Sequence, residues 1–416
     1  MSDQPGNIGE SRLDVDVVII GAGIAGLSIA STLNGISSLS LVLIEGKDVG
    51  SNNPSPLTFL NVVKDFDLVD CCKEDYASFA FHNYQGSSIE YRFGDSELVV
   101  LDYKRACAKL FEKLNSSGKQ AVYINQHVIN LYQHEDRVLV HLEDNTQIQS
   151  KIVIDASGKS QFVAGVYKRN GVHCYSHVCG GVFSNVRNPK EKLCCFLLPN
   201  SDFGSGGGWF YSIRDNKASF GYATISNSPN PDYGKLRENF ERASEKFEPY
   251  SQYLADSKLE HIELGVIPIS YVNKFVDGKI IIVGDAAGMA TNWMCMGIEP
   301  ALRYGKHAGE IAAEALFRND FTILNKFQDL WEKDNKHTFD LAARNAIVFW
   351  FSDHYFLEWI IKNDLAYLTP TQMLDRMRTN DHLLTKSKAL SKAVKFKIKS
   401  FLNKEVLKPY SYLITS

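Results

Sequence analysis

Val15 to Ile20 is an almost unbroken run of β-branched and apolar residues, interrupted only by Asp16, and this pattern predicts a strand buried on both faces. Gly21, Gly23 and Gly26 follow, after which Ile24 to Leu33 has helical periodicity and Leu39 to Ile44 forms a second apolar run ending at Glu45. Together they spell a β-α-β unit close to the shortest length such a unit allows. Tyr103 to Leu114 predicts a helix. Gln120 to Gln149 alternates like a β-meander, with turns at His134-Glu135-Asp136 and Glu143-Asp144-Asn145. Lys151 to Ile154 is a buried strand, Cys174 to Thr224 a mixed β region, and Tyr233 to Phe247 a charged helix. A last buried strand, Lys279 to Val283, precedes a long helix from Ile298 to Leu316, and the remainder has a helical pattern without an internal repeat.

The chain has 416 residues, 44% hydrophobic and 22% charged, enough apolar material for a large core divided over two or three domains. A formal net charge of -3 supplies no global basic field, so no nucleic-acid partner is expected. The eight cysteines include the adjacent pairs Cys71-Cys72 and Cys194-Cys195 and fit neither a disulfide framework nor a zinc site, so reduced thiols and no metal are expected. Met1 to Leu13 lacks the basic start and apolar run of a signal peptide, and Ala346 to Ile361 is broken by Asp353, His354 and Glu358, so a cytoplasmic location is expected.

Gly21-Ala22-Gly23-Ile24-Ala25-Gly26 closes a strand and opens a helix, the context in which a GxGxxG pattern predicts dinucleotide binding. The glycines permit the tight turn, the approach of backbone to pyrophosphate and close helix-strand packing, while the helix N-terminus offers unpaired N–H groups to phosphate. Glu45, at the end of the second strand, is placed to accept the hydroxyls of an adenosine ribose. This unit alone does not separate NAD from FAD.

The separation comes downstream, where a strand delivers Gly284-Asp285-Ala286-Ala287-Gly288 to a loop before the long helix. Here the chain resembles the flavoprotein family that contains the geranylgeranyl reductases, FAD-dependent aromatic hydroxylases, flavin halogenases and lycopene cyclases. The resemblance covers most of residues 15 to 316 and implies FAD as cofactor. It implies that Asp285 takes the flavin ribityl chain, that the loop ending at Gly297 lies against the isoalloxazine, and that the helix opening at Ile298 aims its N-terminus at the flavin pyrimidine edge. It also implies that Asp155-Ala156-Ser157-Gly158, in its reductase-like form, closes the dinucleotide pocket, and that helix-borne Arg105 lies near the FAD phosphates. For Arg105 and Asp155 the residues alone leave a solvated face and a strand-end cap equally open.

In one place the chain departs from the family. A proline and a small-residue loop usually precede the long helix, whereas here Met289-Ala290-Thr291-Asn292-Trp293-Met294-Cys295-Met296-Gly297 is bulky. Trp293, Met294 and Met296 either narrow the flavin face, wall a tunnel or fill core. Cys295 and Trp293 are weak catalytic candidates; so is Trp209, in the aromatic run Gly208-Trp209-Phe210-Tyr211 that resembles the flavin-facing strand of geranylgeranyl reductases. Between Lys386 and Lys408, eight lysines stand against Glu405 alone and interleave with apolar residues, a pattern that suits either a solvated helix or peripheral contact with an anionic membrane.

The expected architecture is α/β: a Rossmann-like FAD-binding domain of glutathione reductase type (14–60, 100–165 and 262–330), an inserted β-sheet substrate domain (61–99 and 166–261) and a helical C-terminal extension (331–416). The expected activity is a geranylgeranyl-reductase-like double-bond reduction on an apolar small molecule, with NAD(P)H or a reductase protein as external electron donor. A monooxygenase or halogenase, and a non-catalytic FAD-binding protein, stay open as alternatives.

Overall fold

The computed structural model describes residues 12–36, 38–50, 56–115, 120–166, 172, 174–187, 192–340, 349–350 and 354–379. The lysine-rich segment 386–408 lies outside the described residues. Among the described residues, three sheets organise the chain.

The first is built on the apolar runs. Strands Gln120–Ile124, Leu41–Glu45, Arg12–Ile20, Gln147–Asp155 and Ile280–Ile282 lie side by side and parallel. Parallel strands are covered on both faces, which is why Val17 to Ile20, Leu41 to Ile44, Ile152 to Ile154 and Ile280 to Ile282 are apolar throughout and buried. Helix Ile24–Asn34 crosses one face and packs against helix Ile298–Arg318, where Ser28 Oγ donates to the Leu302 carbonyl at 2.7 Å. Two details differ from the sequence expectation. Gln120–Ile124 is not the first strand of the meander but the outer parallel strand beside Leu41–Glu45. The meander proper is Val128–Gln133, Val138–Leu142 and Gln147–Asp155, and the last of these runs on without a break into the parallel sheet.

The second sheet has seven strands in the order Lys258–Pro268, Tyr175–Ser184, Lys217–Ser226, Gly207–Ile213, Cys194–Leu197, Ser78–His82 and Ser88–Arg92. Its first strand carries the sheet past residue 261 to Pro268. One face holds its own apolar cluster under helix Tyr233–Lys246, and the other looks toward the first sheet. A small third sheet, Leu57–Phe59, Leu98–Leu101 and Cys72–Tyr76, joins the two. The described part of the C-terminal extension is helical, including His354–Asn363 and Pro370–Thr379, and no described helix is long and apolar enough to cross a membrane.

Candidate cofactor and substrate cleft

A cavity of about 410 Å³ runs between the parallel sheet and the seven-stranded sheet. Its lining brings together residues far apart in sequence: Gly21, Gly23, Ile24 and Ala25 from the glycine turn, Glu45 from the second strand, Gly158, Asp285, and Cys295, Gly297 and Ile298 from the loop before the long helix, with Trp209 opposite.

The glycine turn is shaped by what surrounds it. Gly21 has φ +102°, and a Cβ there would lie 2.4 Å from the Ala156 carbonyl oxygen; a Cβ on Gly26 would lie 1.9 Å from the Gly21 oxygen. Those two glycines are demanded by the protein itself. Gly23 is not, since a Cβ there would meet only the Tyr103 hydroxyl at 3.7 Å. Its missing side chain leaves room on the cleft side, at the N-terminus of helix Ile24–Asn34, where Gly23 itself supplies no capping side chain. Space, free N–H groups and a helix N-terminus in one place suit a pyrophosphate.

Glu45 faces the same turn. Its Oε2 accepts from the Ala22 N–H at 2.7 Å and its Oε1 from the Lys47 N–H at 2.9 Å, which leaves further lone pairs for hydroxyl donors from the cleft. Asp285 supplies the other end. Its carboxylate is partly exposed to the cleft, has no hydrogen-bond partner among the described residues, and is pushed by burial up to about 6. A carboxylate left without donors in a concave site is what a polyhydroxyl chain would satisfy.

Asp155 does not line the cleft. It is fully buried, and its two oxygens accept from the N–H groups of Ser157 and Val163, each at 2.9 Å. Burial raises its carboxyl group's pKa against the pull of these donors. Its contribution is to fold the turn whose Ala156, Ser157 and Gly158 do line the cavity. Gly284, at φ +66°, likewise turns the chain behind Asp285 without lining the cleft.

Arg105 departs from the expectation. Its guanidinium is exposed, lies 3.4 Å from Asp70, and is not among the cleft residues. From the same helix it is half-buried Tyr103 that reaches the site, accepting the Ile24 N–H at 3.3 Å. The cations that line the cavity are Lys47 and Lys159, which the sequence reading passed over; each follows a parallel strand of the first sheet, and that position was the available signal.

The bulky loop divides. Trp293 turns away from the cleft into the core, stacked on Phe81 with ring centroids 5.5 Å apart, while Met294 and Met296 line the cavity. Cys295 sits there too, at φ +55°. Burial pushes its thiol up to about 12, with Ser176 pulling the other way, so it stays protonated at neutral pH and has none of the thiolate character of a redox cysteine. All eight cysteines are free thiols. Trp209 lies flat over the sheet, its Nε1 donating to Ser219 Oγ at 3.0 Å, with Gly221 and Gly180 beneath the indole.

A parallel sheet with a glycine turn at one end of an elongated cleft, an orphaned carboxylate at the other and a second sheet closing it has the form of a dinucleotide-binding site. Comparison with known proteins agrees. The lycopene cyclase protein family model matches residues 16–194. Digeranylgeranylglycerophospholipid reductase 2 of Methanococcoides burtonii is 27% identical over 341 residues, 76% of this chain and 79% of that protein. Among solved structures, a geranylgeranyl bacteriochlorophyll reductase-like protein from Thermoplasma acidophilum superposes with a TM-score of 0.70 at 18% identity, covering 97% of this chain and all of that one. The flavin-dependent brominase Bmp2 also gives 0.70, at 15% identity over 94% of this chain and all of its own. Over most of its length the chain is thus similar to digeranylgeranylglycerophospholipid reductases, and it shares its fold with a geranylgeranyl reductase-like protein and a flavin-dependent brominase.

Proposed function

We propose that the protein reduces a carbon-carbon double bond of an apolar, isoprenoid-type substrate held between the flavin site and the seven-stranded sheet. One observation carries the reading. The cleft residues contributed by that sheet and its turns include Ser176, Val178, Phe196, Trp209, Tyr211 and Val266, and none of them is charged. The cavity's cations lie instead on the parallel-sheet side, where phosphates belong. Such a wall desolvates a hydrocarbon chain and offers nothing to a charged substrate. One relative, the digeranylgeranylglycerophospholipid reductase 2 of Methanococcoides burtonii, is by its name a reductase of a lipid of this kind.

In this reading Glu45 takes the ribose, the glycine turn with Lys47 and Lys159 the diphosphate, and Asp285 the ribityl chain. FAD, when bound, supplies the hydride. The protein orients the double bond, excludes water and returns a proton to the other carbon, for which Ser176 and Tyr211 on that wall and Cys295 in the loop beside it are protic side chains. Electrons enter from NAD(P)H or a reductase protein. The lysine-rich segment 386–408 brings the chain to an anionic membrane, where such substrates dissolve.

Anaerobic reduction with dithionite followed by a polyprenyl lipid tests the reaction class. Substrate-dependent flavin reoxidation without oxygen supports it. A product that forms only with oxygen, and carries labelled oxygen, replaces it with monooxygenation. One finding favours that second reading: with Trp293 turned into the core, less bulk stands over the flavin face than the sequence suggested.

A further inference from the structure

We propose that Arg376 and Arg378, two residues apart on helix Pro370–Thr379, are positioning residues for the cofactor site. From outside the cleft they hold the two flanks of the segment Met294–Ile298 that lines it. Only the redox arm of the test below rests on FAD as the occupant.

The segment is lightly tied. Its own bonds run through Thr291, whose carbonyl accepts from the Cys295 N–H at 2.9 Å and whose Oγ1 accepts from the Met296 N–H at 3.0 Å. Its anchors are therefore the residues at either side, Trp293 and Glu299. The Arg376 guanidinium stands 5.6 Å from the Trp293 indole, on a residue that is almost wholly buried, and pairs with Asp364 at 2.8 Å. A buried guanidinium is costly unless paired and packed, so its location is a constraint and not filler. Phe81 stacks on the same indole and Phe349 meets it edge-on at 5.6 Å, so the residue entering the cleft loop is clamped between the seven-stranded sheet and the C-terminal helices.

The far flank is held by charge. Glu299, in the first turn of helix Ile298–Arg318, is buried; Arg303 of its own helix lies 2.8 Å from one oxygen and Arg378 2.9 Å from the other. Arg378 also donates to Asn61 Oδ1 at 2.9 Å and sits 4.3 Å over the Phe59 ring, so one guanidinium joins the helix start to the small third sheet. There is an electrostatic consequence. A carboxylate in a helix's first turn suits the helix dipole, but a bare negative charge there opposes the anion that flavin becomes on reduction. Two arginines neutralise it, and only Arg378 comes from outside the helix.

The experiment uses the full chain with Arg378→Met, Arg378→Lys and the double variant Glu299→Gln/Arg378→Met. Hydrogen exchange on the FAD-free protein reads the amides of Cys295, Met296 and Ala301, all hydrogen-bonded in this segment. Arg378→Met is expected to speed their exchange about fivefold or more, Arg378→Lys less, with Val17 to Ile20 unchanged. In the FAD-loaded protein, Arg378→Met is expected to lower the flavin midpoint potential and the double variant to bring it back toward wild type. Unchanged exchange in the segment overturns the positioning role; a potential that the double variant fails to restore overturns the charge argument. A wild-type chain that takes up no FAD would sink the proposed function while the exchange arm still decides this one. Arg376→Lys, which keeps the charge in a buried site, is the milder check on the Trp293 flank and should speed exchange at Cys295.

Discussion

The Glu45 carboxylate accepts the Ala22 N–H at 2.7 Å, joining the end of the second strand to the middle of the glycine turn. A charge-assisted bond to backbone serves two ends here, fixing the turn and aiming the remaining lone pairs at the cleft. Glu45→Gln keeps the shape but presents an NH2 group to one of the two backbone donors. We expect FAD affinity to fall by about 10-fold or more, the equivalent of the ~1.5–3 kcal/mol assigned to hydrogen bonds with charged groups. A fluorescence titration with unchanged affinity would count against the ribose assignment.

Asp285 carries a pH signature. Its pKa is raised in the folded chain to about 6, above the ordinary 3.8, so the folded state holds a proton that the unfolded state has released. Stability of the FAD-free protein therefore falls as pH rises from about 4 to about 6, and the full penalty remains above that. Asp285→Asn should raise the melting temperature of the FAD-free chain at pH 7 while weakening FAD binding. Melting curves at pH 5 and pH 7, with and without FAD, separate the two effects; equal melting of both proteins at pH 7 defeats the prediction.

Asp155→Ala removes the acceptor from the Ser157 and Val163 N–H groups and leaves the second stranded in the core. The cost is about 1–3 kcal/mol per stranded group, seen as a large drop in melting temperature. FAD affinity should fall as well, although the carboxylate never meets the cleft. Tight FAD binding by a folded Asp155→Ala protein would show that the turn does not need this cap.

Arg105→Ala should leave FAD affinity within about twofold of wild type, because an exposed pair such as Arg105–Asp70 contributes little. Tyr103→Phe should weaken it, since the hydroxyl that lines the cleft and holds the start of the helix in place is lost. The opposite ranking of the two variants in the same titration would return the phosphate role to Arg105.

Truncation after Thr385 removes the lysine-rich segment. Each lysine near an anionic leaflet is worth up to about 1 kcal/mol, so co-sedimentation with anionic liposomes at low salt should drop sharply. Equal sedimentation of both proteins ends the membrane proposal.

What could be read from sequence was the local chemistry. Gly21, Gly26 and Glu45 announce themselves because a turn, a close packing contact and a strand-end carboxylate are set within one β-α-β unit. Direction was not legible. The spacing placed an arginine on the right helix but not on the right face, and Tyr103, two residues earlier, reaches the cleft in its stead. Bulk at Trp293 likewise carries no sign of whether it points to ligand or core, a choice made by Phe81 on another sheet. The strand Gln120–Ile124 alternates like its meander neighbours, and only tertiary pairing sends it to the other edge. The Arg378–Asn61 bond spans 317 positions, beyond any periodicity.

The glycines under Trp209 have a consequence for how this enzyme could change its substrate. Gly180 and Gly221 face each other on adjacent strands, and a Cβ on either would lie within 2.4 Å of the indole. The indole can settle only because that layer is bare. One methyl group beneath it, from Gly221→Ala, would lift the ring into the cavity and shorten the space above. For the substrate proposed above, length would thus be retuned from below the floor, by residues hidden from any ligand, while the groups assigned to the cofactor are left as they were.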